Sequence, residues 1–253
     1  MSASCSVIAA WILLAGADVA AAADSVRALM ECHQDLLAAK YAALKCDRLP
    51  LNDAANLASC QSQQREVQKR VDAATARAAS CDPDLIHAAT LYDRLRILAT
   101  GGDVSAQRCF ITGQFGVSDT SVEFAESELR QDQREQYPAL ARHFIDDAFR
   151  HGDWRVVRWL SATRFYAVDG LLTKAYPFGE HHSETTYRME YLLMLGSQSD
   201  SDGRDARQMV EPWKANQALS ARQRAESEAW AHRMYDRHFK NSQDTGTEMC
   251  GEN

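Results

Sequence analysis

Residues 85–110 read LIHAATLYDRLRILATGGDVSAQRCF. Leu85, Ala88, Leu91, Tyr92, Leu95 and Leu98 recur at three- and four-residue intervals, the period that lays one apolar stripe along an α-helix. Gly101-Gly102 stops that helix, and Asp103 stands where a side-chain acceptor is needed by the free N–H groups of the next one, which runs to about Phe115. A helix, a two-glycine stop, an acidic cap and a second helix make a hairpin whose arms are antiparallel neighbours.

The same pattern continues in both directions. Upstream, Cys81-Asp82-Pro83-Asp84 separates this hairpin from a helix over 52–80, capped by Asn52 or Asp53, with Leu57, Cys60, Val67, Val71, Ala74 and Ala78 as a thin apolar stripe. Asp47 to Leu51, with Pro50, turns the chain back to a helix over 25–46 carrying Leu29, Cys32, Leu36, Leu37 and Leu44. Downstream, the spacing predicts a polar helix over 122–136, another over 139–150 with Pro138 in its first turn, and one over 154–161. Helices at 186–195, around Pro212, and from a Ser220–Gln223 capping box to about Phe239 follow. No segment alternates with period two. The chain has 40 Ala and 22 Leu against 12 Val and 6 Ile, a helix former's composition, and its 12 Gly and 5 Pro are too few for a loop-rich β fold. The expected class is therefore all-α: antiparallel helical hairpins stacked as an irregular α/α array, opened by an N-terminal hairpin. The net charge of −7 gives no support to nucleic acid as a partner.

Residues 1–23 read as an export signal. Val7 to Ala17 is an apolar run of 11 residues, short of the roughly 20 that span a bilayer, and the small residues after it offer cleavage after Ala22 or, preferably, Ala23. No Lys or Arg precedes the run, so only the amino terminus supplies positive charge there. The expectation is a periplasmic or secreted protein without a membrane span in its mature chain. Beyond Cys5, six cysteines remain, an even number suited to disulfides in an exported chain. Cys32, Cys46 and Cys60 are 14 residues apart, almost four helical turns. Nesting across the hairpin then predicts Cys46–Cys60 near the turn, Cys32–Cys81 at the open end, and Cys109–Cys250 tying down a polar tail. Four regions follow: signal 1–23, disulfide-linked hairpin 24–83, helical domain 84–240 and tail 241–253.

The stretch from Leu95 to Phe110 resembles the Sel1-like branch of the tetratricopeptide-like repeat proteins, whose corner Ala99, Gly102, Asp103, Ala106 and Gln107 follow with one residue shifted. A second, poorer copy starts at Ala148 and holds Gly152, Asp153 and Trp154, and the stretch from Leu219 is similar to the closing helix of such proteins. The two Gly-Asp corners are 50 residues apart, against about 34 in tetratricopeptide repeats, and the aromatic and Lys-Ala positions of a full Sel1 repeat are missing. The resemblance implies a scaffold for protein or peptide contacts, without a cofactor or a reaction.

Phe124-Ala-Glu126-Ser127 looks like the Glu-Ser pair of lytic transglycosylases, where the Glu acts as general acid. That would make the chain a cell-wall glycan-cleaving enzyme, but the downstream Gly-Leu-Met-Gln-type motif is lacking. His181 and His182, between Glu180 and Glu184, are candidate zinc or copper ligands on a surface loop, and the reading that goes with them is a metal-responsive protein. The acidic stretch from Asp200 to Glu211 hints at a calcium loop, yet puts Arg204 or Met209 where a ligand is required. Trp154, Arg155, Arg158 and Trp159 form the richest aromatic–arginine cluster, the mixture enriched at interface hot spots. The expected function is a non-catalytic scaffold that binds another envelope or secreted protein.

Overall fold

The computed structural model describes residues 26–40, 54–113, 115, 129–162, 182–197, 205–215, 219–242 and 249–250. Among them the regular structure is all helical, with no strand. In chain order the helices are α1 (26–40), α2 (Ala54–Ala78), α3 (Ala88–Thr100), α4 (Val104–Thr112), α5 (Gln131–Arg150), α6 (Trp154–Ala162), α7 (His182–Leu195), α8 (Ala206–Ala215) and α9 (Ala221–Met234). A short 3-10 turn, Pro83–Ile86, precedes α3, and a π-helical turn, Tyr235–Phe239, continues α9. Among the described residues, no helix is long and apolar enough to cross a membrane.

One apolar core joins most of these elements, from Val26 and Met30 of α1 to Met249 and Cys250 of the tail. Its centre is aromatic: Phe110 of α4 meets Tyr92, Phe115, Tyr137 and Phe144 at ring separations of 5.0, 5.5, 5.4 and 5.4 Å, tilted or edge-on as aromatic quadrupoles prefer. Helix α7 packs against α6, α8 and α9 and is buried on several faces, with Thr185, Thr186, Tyr187, Met189, Glu190, Leu192 and Leu193 all inside.

The N-terminal hairpin is fastened at its open end. Cys32 and Cys81 are disulfide-bonded, with Cα atoms 5.6 Å apart. Arg77 donates twice to Asp35, from Nε at 2.7 Å and Nη2 at 2.6 Å. The pair Cys46–Cys60 lies outside what is described: Cys46 is not among the described residues and the Cys60 side chain is not characterised. Helix α2 is exposed along most of its length from residue 62, with Ala74 alone fully buried there.

The helix expected from Leu85 onward is broken at its start. Asp82 Oδ1 accepts from Asp84 N at 3.1 Å, winding the 3-10 turn, and the Leu85 carbonyl takes the Nδ1–H of buried His33 at 2.5 Å. In an α-helix that carbonyl would serve residue 89. His33 thus spends it on docking α1, and α3 begins only at Ala88.

A second correction concerns Pro138, which lies inside the single helix α5 rather than at the start of a new one. Gln133, Tyr137, Ala141, Phe144, Ile145 and Phe149 form one buried stripe straight past it. Burying that stripe outweighs the one backbone hydrogen bond Pro138 cannot donate. The expected start of a helix at Val122 lies outside the described residues. Helix α7 also begins a turn earlier than expected, so Glu184 belongs to its first turn and not to a surface loop.

Candidate functional site

The two Gly-Asp corners have the same construction. At the first, Asp103 N donates to Leu98 O (3.1 Å) and Gly102 N to Ala99 O (3.1 Å). At the second, Asp153 N donates to Ala148 O (2.9 Å) and Gly152 N to Phe149 O (3.1 Å). Both are Schellman closures, and both need a left-handed residue, supplied by Gly102 at φ 93° and Gly152 at φ 68°. The aspartate that follows caps the next helix: Asp103 Oδ1 accepts from Ala106 N at 3.0 Å, and Asp153 Oδ1 from Arg155 N at 3.1 Å.

A cavity of about 260 Å³ opens between α4 and the second corner. Val104, Arg108 and Ile111 line it from α4, Asp147 and His151 from the end of α5. Arg108 Nε donates to Asp153 Oδ2 at 2.6 Å, and both side chains are largely buried, so the pair is a strong, charge-assisted link between the two hairpins. Among the described residues the two Nη groups of Arg108 hold no hydrogen bond. Asp147 Oδ1 lies 3.3 Å from Arg150 Nη2, while His151 Nδ1 donates to the Asp147 carbonyl at 2.8 Å. The groove therefore offers donors at one side, a carboxylate at the other, and apolar surface from Val104 and Ala148. That combination suits the alternating amides and side chains of a bound polypeptide.

The C-terminal turn closes the second corner. Phe239 packs on Trp154 with tilted rings 4.6 Å apart and meets Phe149 edge-on at 6.2 Å. His238 Nδ1 donates to the Arg150 carbonyl at 3.1 Å, serving an acceptor that the end of α5 leaves free. The disulfide Cys109–Cys250, with Cα atoms 4.5 Å apart, then joins the end of the chain to α4 beside Arg108.

Of the four residues read as a binding cluster, Trp154 and Arg158 are 1% and 3% exposed and are not presented at the surface. The helical period explains this: Trp154, Val157, Arg158 and Ser161 share the face of α6 that is turned inward. Arg155 and Trp159 are partly exposed, and Trp159 packs on the rim of the core. Glu126 and His181 lie outside the described residues; His182 is the first residue of α7 and its side chain is not described. Among the described residues no group of three or more His, Cys, Asp or Glu is arranged to hold a metal ion. Asp205, from the acidic stretch, accepts from Arg207 N at 2.9 Å. Arg108, Asp147 and His151 carry no local motif; the one sequence signal for them is their position at the two corners.

No protein-family model matches this chain, and neither a curated protein nor a solved structure matches it.

Proposed function

We propose that this chain is an exported, non-catalytic helical scaffold of Sel1-like type that binds another envelope or secreted protein, taking a segment of it into the groove between α4 and the second corner. The observation that carries the reading is the groove itself: a mixed polar and apolar cleft whose half-buried Arg108 is fixed by Asp153 through Nε, with two Nη groups that hold no hydrogen bond among the described residues. Fixed donors of this kind recognise a carboxylate or backbone carbonyls at little entropic cost. The disulfides Cys32–Cys81 and Cys109–Cys250 fit an oxidising compartment, which supports export and a signal ending near Ala23.

The test is site-specific photo-crosslinking. A photoreactive residue in place of Gln107, on the groove side of α4, is expected to yield a discrete adduct with one partner when the protein is made in its own host. Arg108→Glu should abolish that adduct and leave the helical content intact. A protein that forms no adduct from any groove position, under conditions where it is exported and disulfide-bonded, would refute the reading.

A further inference from the structure

The two corners are built alike but finished differently. At the second, the glycine is covered: a Cβ on Gly152 would lie 2.7 Å from Ser242 Cβ and collide with the His238 carbonyl. At the first, a Cβ on Gly102 would have nothing within 4 Å. The contrast extends to the flanking positions, which correspond at an offset of 50. Trp154, first residue of α6, is buried under Phe239, whereas Val104, first residue of α4, is 51% exposed. Ile97, on the last turn of α3, is 57% exposed, and these two are the large apolar side chains left in water among the described residues. The Arg150 carbonyl receives His238; no side chain among the described residues donates to the Thr100 carbonyl at the equivalent place.

We infer that the first corner is a docking face for the end of a partner's α-helix, one that carries an aromatic side chain directly after an N–H-donating side chain. The chain's own C-terminal turn is the template. At the second corner the His238-Phe239 pair supplies a donor for the last free carbonyl of the preceding helix and an aromatic ring for the first residue of the next. The first corner presents the same two requirements unfilled, on a backbone that a bare glycine lets a partner approach to contact distance. Ile97 and Val104 would flank the incoming ring and lose their water, the usual source of affinity at a small interface. The inference rests on the protein-binding reading above; Val104 also lines the groove, whereas Ile97 does not, so Ile97 is the residue that separates the two faces.

The probe is a helix-stapled, fluorescein-labelled peptide with the sequence of residues 227–242, titrated into the full-length, disulfide-intact protein and followed by anisotropy. Saturable binding is expected, weakened at least tenfold by Phe239→Ala in the peptide, which needs no refolding of the protein. The substitution Ile97→Lys, at an exposed position that does not line the groove, should weaken it to the same extent with unchanged circular dichroism. Absence of saturable binding, or binding indifferent to these changes, would overturn the proposal. So would binding that accelerates hydrogen exchange at residues 235–242 of the protein, since the peptide would then be displacing the resident turn at the second corner. Self-association abolished by the same substitution would assign the corner to a second copy and overturn the partner assignment. The crosslink from Gln107 reports on the groove, so either result can fail while the other stands.

Discussion

At the scale of single residues, Gly102 and Gly152 show how one local motif acquires two energies. Both hold left-handed backbone, which costs an alanine about 1 kcal/mol. At Gly102 that is the whole cost, because the position is open. At Gly152 the new methyl group must also displace Ser242 and the His238 carbonyl, and overpacking of this kind adds about 2 kcal/mol. Urea denaturation should therefore find Gly152→Ala about 2 kcal/mol less stable than Gly102→Ala. Equal values would mean that the C-terminal turn does not press on the second corner. From sequence the two Gly-Asp pairs read as one corner and a poorer copy of it, and the Asp103 cap was readable from type and position alone. What was not readable was the neighbour of each glycine, because Ser242 is 90 residues from Gly152 and no local spacing encodes that approach.

Among the elements, the N-terminal hairpin is the least supported. From residue 62 onward helix α2 is solvated on most sides, and among the described residues it is held by buried Ala74, by Cys32–Cys81 just beyond its end and by the exposed Arg77–Asp35 pair, an interaction worth little in water. In the chain-entropy model a crosslink closing 49 residues of sequence contributes about 4 kcal/mol. Reduction should thus raise hydrogen exchange first in 54–78, next in 26–40, and leave α3 to α9 largely protected. Simultaneous loss of protection throughout would show that the hairpin is integral to the core. The order within the hairpin follows from Val26, Met30 and His33, which hold α1 to the core by contacts that the described side chains of α2 lack. Helix existence was legible here because a 3.6-residue period is a local property. Helix ends were less so: the Leu85 carbonyl is diverted by a histidine 52 residues away, and Pro138 is overruled by a stripe that only the packed molecule buries.

For the whole molecule, the core sets an alkaline limit. Burial pushes the Tyr92 hydroxyl up to about 12, and burial likewise raises Tyr137 in the main core and Tyr187, which also donates to Glu228 at 2.6 Å. Above pH 10 the unfolded chain releases these protons while the native state keeps them, so folding stability falls as pH rises. The slope is about 1.4 kcal/mol per pH unit for each tyrosine. Between pH 10 and 12 the urea midpoint should drop steeply, and Tyr92→Phe should soften the drop; a flat profile would contradict the burial of these hydroxyls. The all-α architecture was legible in the sequence, whereas the groove was not, since its defining pair joins Arg108 to Asp153 across 45 residues. One feature at the end of α9 also constrains how the chain can vary in length. The π-helical turn Tyr235–Phe239 closes with Lys240 N on Tyr235 O, five residues back, and so accommodates one residue more than an α-turn. Deleting any one residue from 235–238 would restore an ordinary helix and make that segment more regular by itself. It would also swing Phe239 by about 100° around the axis, away from Trp154. A single-codon deletion there is thus locally favourable and globally costly, and lineages carrying this tail are expected to keep its length while its exposed side chains drift.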